Sequence, residues 1–271
     1  MMRSLWTAAS GMTSQQANVD TISNNLANVN TTSYKKERME FKSLLYQTMQ
    51  RADMDPQNQT GRPVNLQVGL GVRTIATSRI FDQGNLEVTG HPIDFAIEGN
   101  GYFAIQRGEE VFYTRDGSFK ASVGEDGIML VTSEGYPVLS TDGEPIIIPF
   151  DVSLESLSVS REGVFEYVDA AGVANDLDVQ FNVVQFSNPQ GLEAVGSNLF
   201  GITPASGEPL LESEGEVTKP SGIIQGYLEM SNVQVAEEMV KLIVAQRAYE
   251  MNSKAIQASD DMLQQANNLK R

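Results

Sequence analysis

The side chains that most often carry chemistry are sparse in this 271-residue chain, and badly spaced for it. There is no cysteine, so thiol catalysis, thiolate metal sites and disulfide staples are excluded. The single histidine, His91, sits between Gly90 and Pro92 in a turn-like tripeptide, where neither a metal set nor a Ser-His pair finds partners. Glu109-Glu110 and Asp260-Asp261 are the nearest approach to an acid–base pair. Adjacent residues, however, point to opposite faces of a strand and about 100° apart on a helix, so both pairs read as solvated surface. Gly99-Asn100-Gly101 precedes the run Tyr102, Phe103, Ala104, Ile105 but lacks the third glycine and the following helix of a dinucleotide fingerprint; it reads as a turn into a strand. Tyr113-Thr114-Arg115-Asp116-Gly117-Ser118-Phe119 reads as strand, turn, strand. No constellation supports catalysis, and no metal or cofactor is called for.

If the chain is not built around a reacting centre, the distribution of its charge and apolar residues must carry the function. The net charge of −16 is segregated: residues 1–75 hold five acids and eight bases, residues 76–231 hold 25 acids and six bases, and residues 232–271 hold five of each. An acidic middle argues against nucleic acid, because phosphate binding needs a basic surface. Near-neutral ends flanking a self-repelling centre suit a protein whose termini pack against copies of itself. No apolar run approaches the length of a membrane-spanning helix, and the N-terminal residues carry no secretory h-region.

From Leu5 the apolar positions Leu5, Ala8, Met12, Val19, Ile22, Leu26 and Val29 recur at alternating three- and four-residue steps, interrupted only by Gln15. That spacing predicts a helix over residues 1–30 with a heptad seam. A second helix is predicted over 231–271, where Val235, Leu242, Tyr249, Ile256 and Leu263 recur every seven residues beside Met239 and Ile243, with Ser231 or Asn232 as its cap. The alternate seam positions Gln246, Ser253 and Asp260 leave one side of this stripe polar. The two helices are too long to cover a small β domain and read as an antiparallel pair that needs neighbours to be fully ordered.

Between them the pattern changes twice. Residues 31–75 read as linker and extended arm, polar from 46 to 65 with Pro56, Gly61 and Pro63. Residues 76–230 show short apolar runs punctuated by Asp116-Gly117, Asp126-Gly127, Glu134-Gly135, Asp142-Gly143 and Glu162-Gly163, which predicts an antiparallel all-β domain. Val179, Phe181 and Val183 alternate, then Val184 and Phe186 continue on the opposite phase, which suggests a bulge.

Asn24-Asn25-Leu26-Ala27-Asn28-Val29-Asn30-Thr31-Thr32-Ser33-Tyr34-Lys35 resembles the segment that ends the first helix of flagellar rod and hook proteins. Ser231 to Val240 and Gln246 to Ala255 resemble that family's C-terminal helix. Gly69-Leu70-Gly71-Val72, Gly84-Asn85-Leu86, Gly99 to Phe103, Tyr113 to Phe119 and Gly196-Ser197-Asn198-Leu199-Phe200 extend the likeness over nearly the whole chain. Ser33 stands where the family usually has glycine, so a less sharply left-handed turn is expected there.

The resemblance implies an α+β subunit with an antiparallel coiled-coil-like inner domain of terminal helices, an extended arm and an all-β outer domain, assembled with copies of itself into a helical tube. The expected assembly contacts are Leu5, Met12, Val19, Ile22, Leu26 and Val29 on the first helix, and Val235, Met239, Leu242, Tyr249, Ile256 and Leu263 on the second. Leu45-Tyr46-Gln47-Thr48 and the arm to about Val64 resemble the insertion of distal-rod members; a proximal rod or hook subunit is the alternative. The implied partners are neighbouring rod and hook subunits, the envelope bushing rings and the flagellar type III export apparatus. The implied location is the basal-body rod.

Overall fold

A computed structural model describes residues 2–50, 52, 64–124, 127–150, 152–154, 156–168, 174–213, 215, 217 and 219–268. The tip of the predicted arm (53–63) and Asp126 of one predicted turn lie outside these residues. The chain divides into two units. One comprises Met1–Ala27, Glu37–Arg79 and Gln234–Arg271, the other Asn28–Lys36 and Ile80–Val233.

The first unit holds both long helices, α1 (Met2–Ala27) and α2 (Val235–Asn268). Neither they nor any other described helix is long and apolar enough to cross a membrane. The predicted caps of α2 are used otherwise. Asn232 accepts a bond from Lys36 N–H and donates to Ile80 O and Asp82 O, and Ser231 Oγ accepts from Val233 N–H. The helix therefore starts at Val235, with Glu237 and Glu238 in its first turn, where acids complement the N-terminal end of the dipole.

Two antiparallel pairs complete this unit. Glu37–Ser43 pairs with Val72–Arg79, broken by an irregularity between Glu40 and Phe41, and Tyr46–Gln50 pairs with Leu66–Gly69. The Asn25 amide on α1 joins the first pair as a backbone unit would: its Oδ1 accepts Glu37 N–H and its Nδ2 donates to Glu37 O, each at 2.8 Å. Glu37 in turn holds Arg79, its cross-strand partner, at 2.5 Å.

The second unit is β structure with one 3₁₀ turn, Pro189–Gly191, among its described residues. Its main sheet has six strands in the order Glu193–Gly196, Leu199–Gly201, Glu110–Thr114, Tyr102–Arg107, Val183–Gln185 and Leu210–Leu211, each antiparallel to its neighbours. Both faces of this sheet are covered. Phe103 and Val183 enter one core with Phe95, Ile97, Phe119, Leu130, Phe165 and Phe181, while Tyr102, Ala104, Tyr113, Val184 and Phe200 enter a second with Phe186 and Leu192.

The change of phase at Val183/Val184 follows from this arrangement. Successive side chains point to opposite faces, both faces are apolar, and the register there is unbroken. No bulge is needed to explain it. Gly135, Gly143 and Gly163 close predicted turns at positive φ, each N–H bonding the carbonyl three residues earlier. Gly117 is needed for another reason: a Cβ there would collide with Phe95 O.

Candidate functional site

The helix pair of the first unit is joined along a seam of small and polar residues. Ser4 Oγ lies 3.2 Å from Ser259 Oγ, and Asn25 Nδ2 donates to Glu238 Oε2 at 3.4 Å. Between them Gly11 abuts Asn252. The facing residues advance by seven on each helix, in opposite directions, so α1 and α2 run antiparallel in a constant register. On α2 the buried positions are Glu238, Ala245 and Ser259, with Asn252 half-buried on the same track.

This track differs from the apolar one chosen from the sequence. Periodicity of large apolar residues selects Val235, Leu242, Tyr249, Ile256 and Leu263. The contact between the helices runs along Glu238, Ala245, Asn252 and Ser259, each three residues after a position of that stripe, where small side chains allow close approach.

The large apolar residues consequently face outward or lie along the flank of the seam. Of the twelve residues expected to form assembly contacts, Ile22 is buried within the chain. Leu5, Met12, Val19, Leu26, Val29, Leu242 and Ile256 are half-buried, and Val235, Met239, Tyr249 and Leu263 are exposed. Eleven of these lie in the first unit; Val29 belongs to the segment that enters the second. Residues that periodicity did not select join the exposed set: Trp6 (74% exposed) on α1, and Val240, Val244 (63%) and Met251 on α2, beside the predicted Ile243. A groove lined by Gln16, Val19, Gln246, Tyr249 and Glu250 runs along the pair. The Tyr46–Gln50 and Leu66–Gly69 pair and the residues beside it add Leu45, Tyr46, Met49, Val64 and Leu66, all exposed. Scattered exposed apolar residues are ordinary on a monomer, whereas Val240, Ile243, Val244 and Met251 lie together along one helix.

The second unit contains a buried charge cluster that the sequence did not disclose. Glu229 Oε1 accepts from Lys35 Nζ at 2.6 Å and from Gly84 N–H at 2.8 Å, while its Oε2 accepts from Arg115 Nε at 2.9 Å. The side chains of Lys35 and Glu229 are 0% exposed and that of Arg115 is 2% exposed. The two terminal nitrogens of Arg115 donate to Gly101 O and Gly99 O, and its guanidinium lies over the Tyr102 ring. Lys35 also donates to Asp82 O. The Gly99-Asn100-Gly101 turn thus presents carbonyls to a cation, the reverse of a phosphate cradle.

One anion faces two cations here, and the titration behaviour follows. Burial pushes Lys35 down to about 8, helped by the Arg115 guanidinium and opposed by Glu229. Burial alone would raise Glu229, but Arg115 and then Lys35 outweigh it, so its carboxyl is held below the ordinary value. Burial raises both Tyr102 and Tyr113. These are signs of a structural lock; the described residues hold no group of three or more His, Cys, Asp or Glu placed to bind a metal.

Ser33 completes the lock and corrects the expectation for its turn. Its φ is +55°, fully left-handed although it is not glycine. Two bonds hold it there, Ser33 N–H to Glu229 O at 2.8 Å and Ser33 Oγ to Arg115 O at 2.7 Å. The hydroxyl supplies a contact that glycine lacks. Lys35 and Arg115 were visible as members of motifs, but Glu229 is paired with a residue 194 positions away, and no local pattern signals that.

A two-helix unit with outward apolar residues, and a β unit closed by the segment that follows α1, is the arrangement against which the chain's relatives can be judged. Three family models match: "Flagella basal body rod protein" over residues 5–35, "Flagellar hook protein FlgE/F/G D1 domain" over 96–167, and "Flagellar basal body rod FlgEFG protein C-terminal" over 224–269. The chain belongs to the flagellar basal-body rod protein family. It is 50% identical over 273 residues to the flagellar basal-body rod protein FlgG of Borreliella burgdorferi, covering 100% of both chains. To FlgG of Bacillus subtilis it is 38% identical, again over 100% of both. To the flagellar hook-basal body complex protein FlhP of the same organism it is 34% identical over 97% of each.

Proposed function

We propose that the chain is a structural subunit of the bacterial flagellar distal rod, which polymerises into a straight helical tube and transmits torque from motor to hook. The observation that carries this reading is the division of labour on the helix pair: small and polar residues fill its own seam, and the large apolar ones other than Ile22 keep exposed surface for neighbours. An open tube needs contacts in which one patch meets a different patch on the next copy. The outer tracks of α1 and α2 differ in sequence and supply two such patches.

In this reading residues 1–30 and 231–271 form a coiled-coil-like inner layer, residues 31–75 an arm that reaches neighbours, and residues 76–230 an outer β layer. Of the twelve expected contacts from Leu5 to Leu263, Ile22 is buried within its own chain, and the other eleven lie between copies. Rod and hook subunits, the bushing rings and the type III export apparatus are its partners, and its place is the basal-body rod. Catalysis has no part in this role. The likeness to a hook protein domain model supports a second reading, a proximal rod or hook subunit.

The test is polymerisation of the purified chain, followed by sedimentation and electron microscopy at rising concentration. Met239→Asp combined with Val244→Asp alters exposed positions, so the circular dichroism of the monomer is expected to stay the same while tubes disappear. Tubes from this variant equal to those of the unmodified chain would overturn the assembly surface. Straight tubes from the unmodified chain support the distal rod, and curved ones the hook.

A further inference from the structure

Residues 28–36 are fastened to the second unit by a series of polar contacts. Ser33 N–H bonds Glu229 O, Ser33 Oγ bonds Arg115 O, Asn198 Nδ2 bonds Thr32 O, Asn232 N–H bonds Tyr34 O, Lys36 N–H bonds Asn232 Oδ1, and Ile80 N–H bonds Lys36 O. Neither apolar core takes a side chain from this segment. The bonds named above, and the Lys35 ammonium, are groups that water can replace once the segment lifts away.

The receptor for Lys35 is complete without it. With the segment removed, Glu229 keeps Arg115 and Gly84 N–H, and Arg115 keeps Gly99 O and Gly101 O. Lys35 therefore adds a second cation to a pair that is already neutral, at the expense of its own hydration. Such a contact holds the segment in one place without being indispensable to the two cores.

We propose that residues 28–36 form a detachable strap, latched by Lys35 on the preformed Glu229–Arg115 pair, which opens and closes while both cores of the second unit stay folded. Because Lys35 and Glu229 are 194 positions apart, the strap closes only on a chain that already includes both. Premature closure on a partial chain is thereby prevented. This inference is independent of what the protein assembles into.

The experiment is hydrogen exchange of the full-length monomer read at single amides. The strap reporters are Ser33, Lys36 and Ile80, and the core reporters are Leu130, Val138, Ile146 and Phe181, all of whose N–H groups are bonded in the folded unit. In the unmodified chain at low urea, the strap amides are expected to exchange at least tenfold faster than the core amides, with a smaller urea dependence. Lys35→Gln is expected to speed the strap amides at least tenfold more and leave the core amides within twofold. Equal rates and equal urea dependence for both sets would show one cooperative unit and end the proposal. Unchanged strap exchange in Lys35→Gln would remove Lys35 as the latch.

Discussion

Gly11 and Asn252 face each other across the helix pair so closely that a Cβ on Gly11 would lie 2.8 Å from Asn252 Nδ2. This contact falls about a third of the way along a seam whose ends are Ser4 with Ser259 and Asn25 with Glu238. A methyl group there meets the end of a movable side chain, but a larger group meets the helix itself. Gly11→Leu is expected to separate α1 from α2 over this stretch and to destabilise the first unit by about 1–3 kcal/mol, the usual effect of overfilling a packed contact. Far-UV circular dichroism with urea titration measures it. Unchanged helicity and midpoint would mean that the seam is looser than described.

Removing the anion from the buried cluster is the harshest single change available in the second unit. Glu229→Gln removes the carboxylate that both Lys35 and Arg115 contact, in a site where all three side chains are nearly inaccessible, and leaves Lys35 only the weaker field of Asp82. An uncompensated buried charge destabilises by about 3–5 kcal/mol. Lys35→Met is expected to be far milder, because Arg115 still neutralises Glu229. Comparing the urea midpoints of the two variants by near-UV circular dichroism tests the asymmetry; equal losses would contradict the assignment of Arg115 as the principal partner.

The same cluster predicts an unusual pH dependence. Lys35 titrates at about 8 in the folded chain and at 10.5 when free, so between these values the unfolded chain binds a proton that the folded chain lacks. Stability must then rise with pH across that window, by up to about 1.4 kcal/mol per unit. Tyr102 and Tyr113, both raised by burial, act in the opposite sense. Above about pH 10 the unfolded chain releases phenolic protons that the folded one keeps, and stability falls. Glu229, held low, contributes stability above its unfolded value that is lost as pH falls through the folded one. Urea midpoints taken from pH 7 to 11 are therefore expected to peak near pH 10, and Lys35→Met to abolish the rise. A flat or falling profile between pH 8 and 10 in the unmodified chain would refute the burial of a charged Lys35.

Much of this architecture can be read from the residues. Long apolar periodicity places α1 and α2 within a few residues of their observed ends, because a helix of that length is specified by many side chains at once. Glu134-Gly135, Asp142-Gly143 and Glu162-Gly163 mark β turns, since a left-handed position selects glycine locally. What escapes is whatever depends on residues brought together by the fold. Periodicity weights Leu, Ile and Val, so it passes over the track of Ser, Gly, Asn and Ala that actually joins the helices. Asn232 suits a cap by type, yet its amide is claimed by Lys36, Ile80 and Asp82, which no window around it contains. Glu229 is an ordinary acid in an acidic domain until Lys35 and Arg115 reach it.

Ser33 provides the finest of these tests, because its side chain and its backbone pull in opposite directions. A left-handed φ on a residue with a Cβ costs on the order of 1–3 kcal/mol, and glycine would relieve it. Glycine would also lose the bond from Ser33 Oγ to Arg115 O, worth roughly 1 kcal/mol, and would make the unfolded chain more flexible. Ser33→Gly is thus expected to shift stability by no more than about 1 kcal/mol in either direction. Ser33→Ala keeps the strained φ and leaves Arg115 O buried without that donor, which costs about 1–3 kcal/mol. Urea titration of the three chains should therefore place alanine clearly below both serine and glycine. If alanine proves as stable as serine, the hydroxyl bond contributes nothing, and the left-handed turn is held by the Ser33 N–H to Glu229 O bond alone.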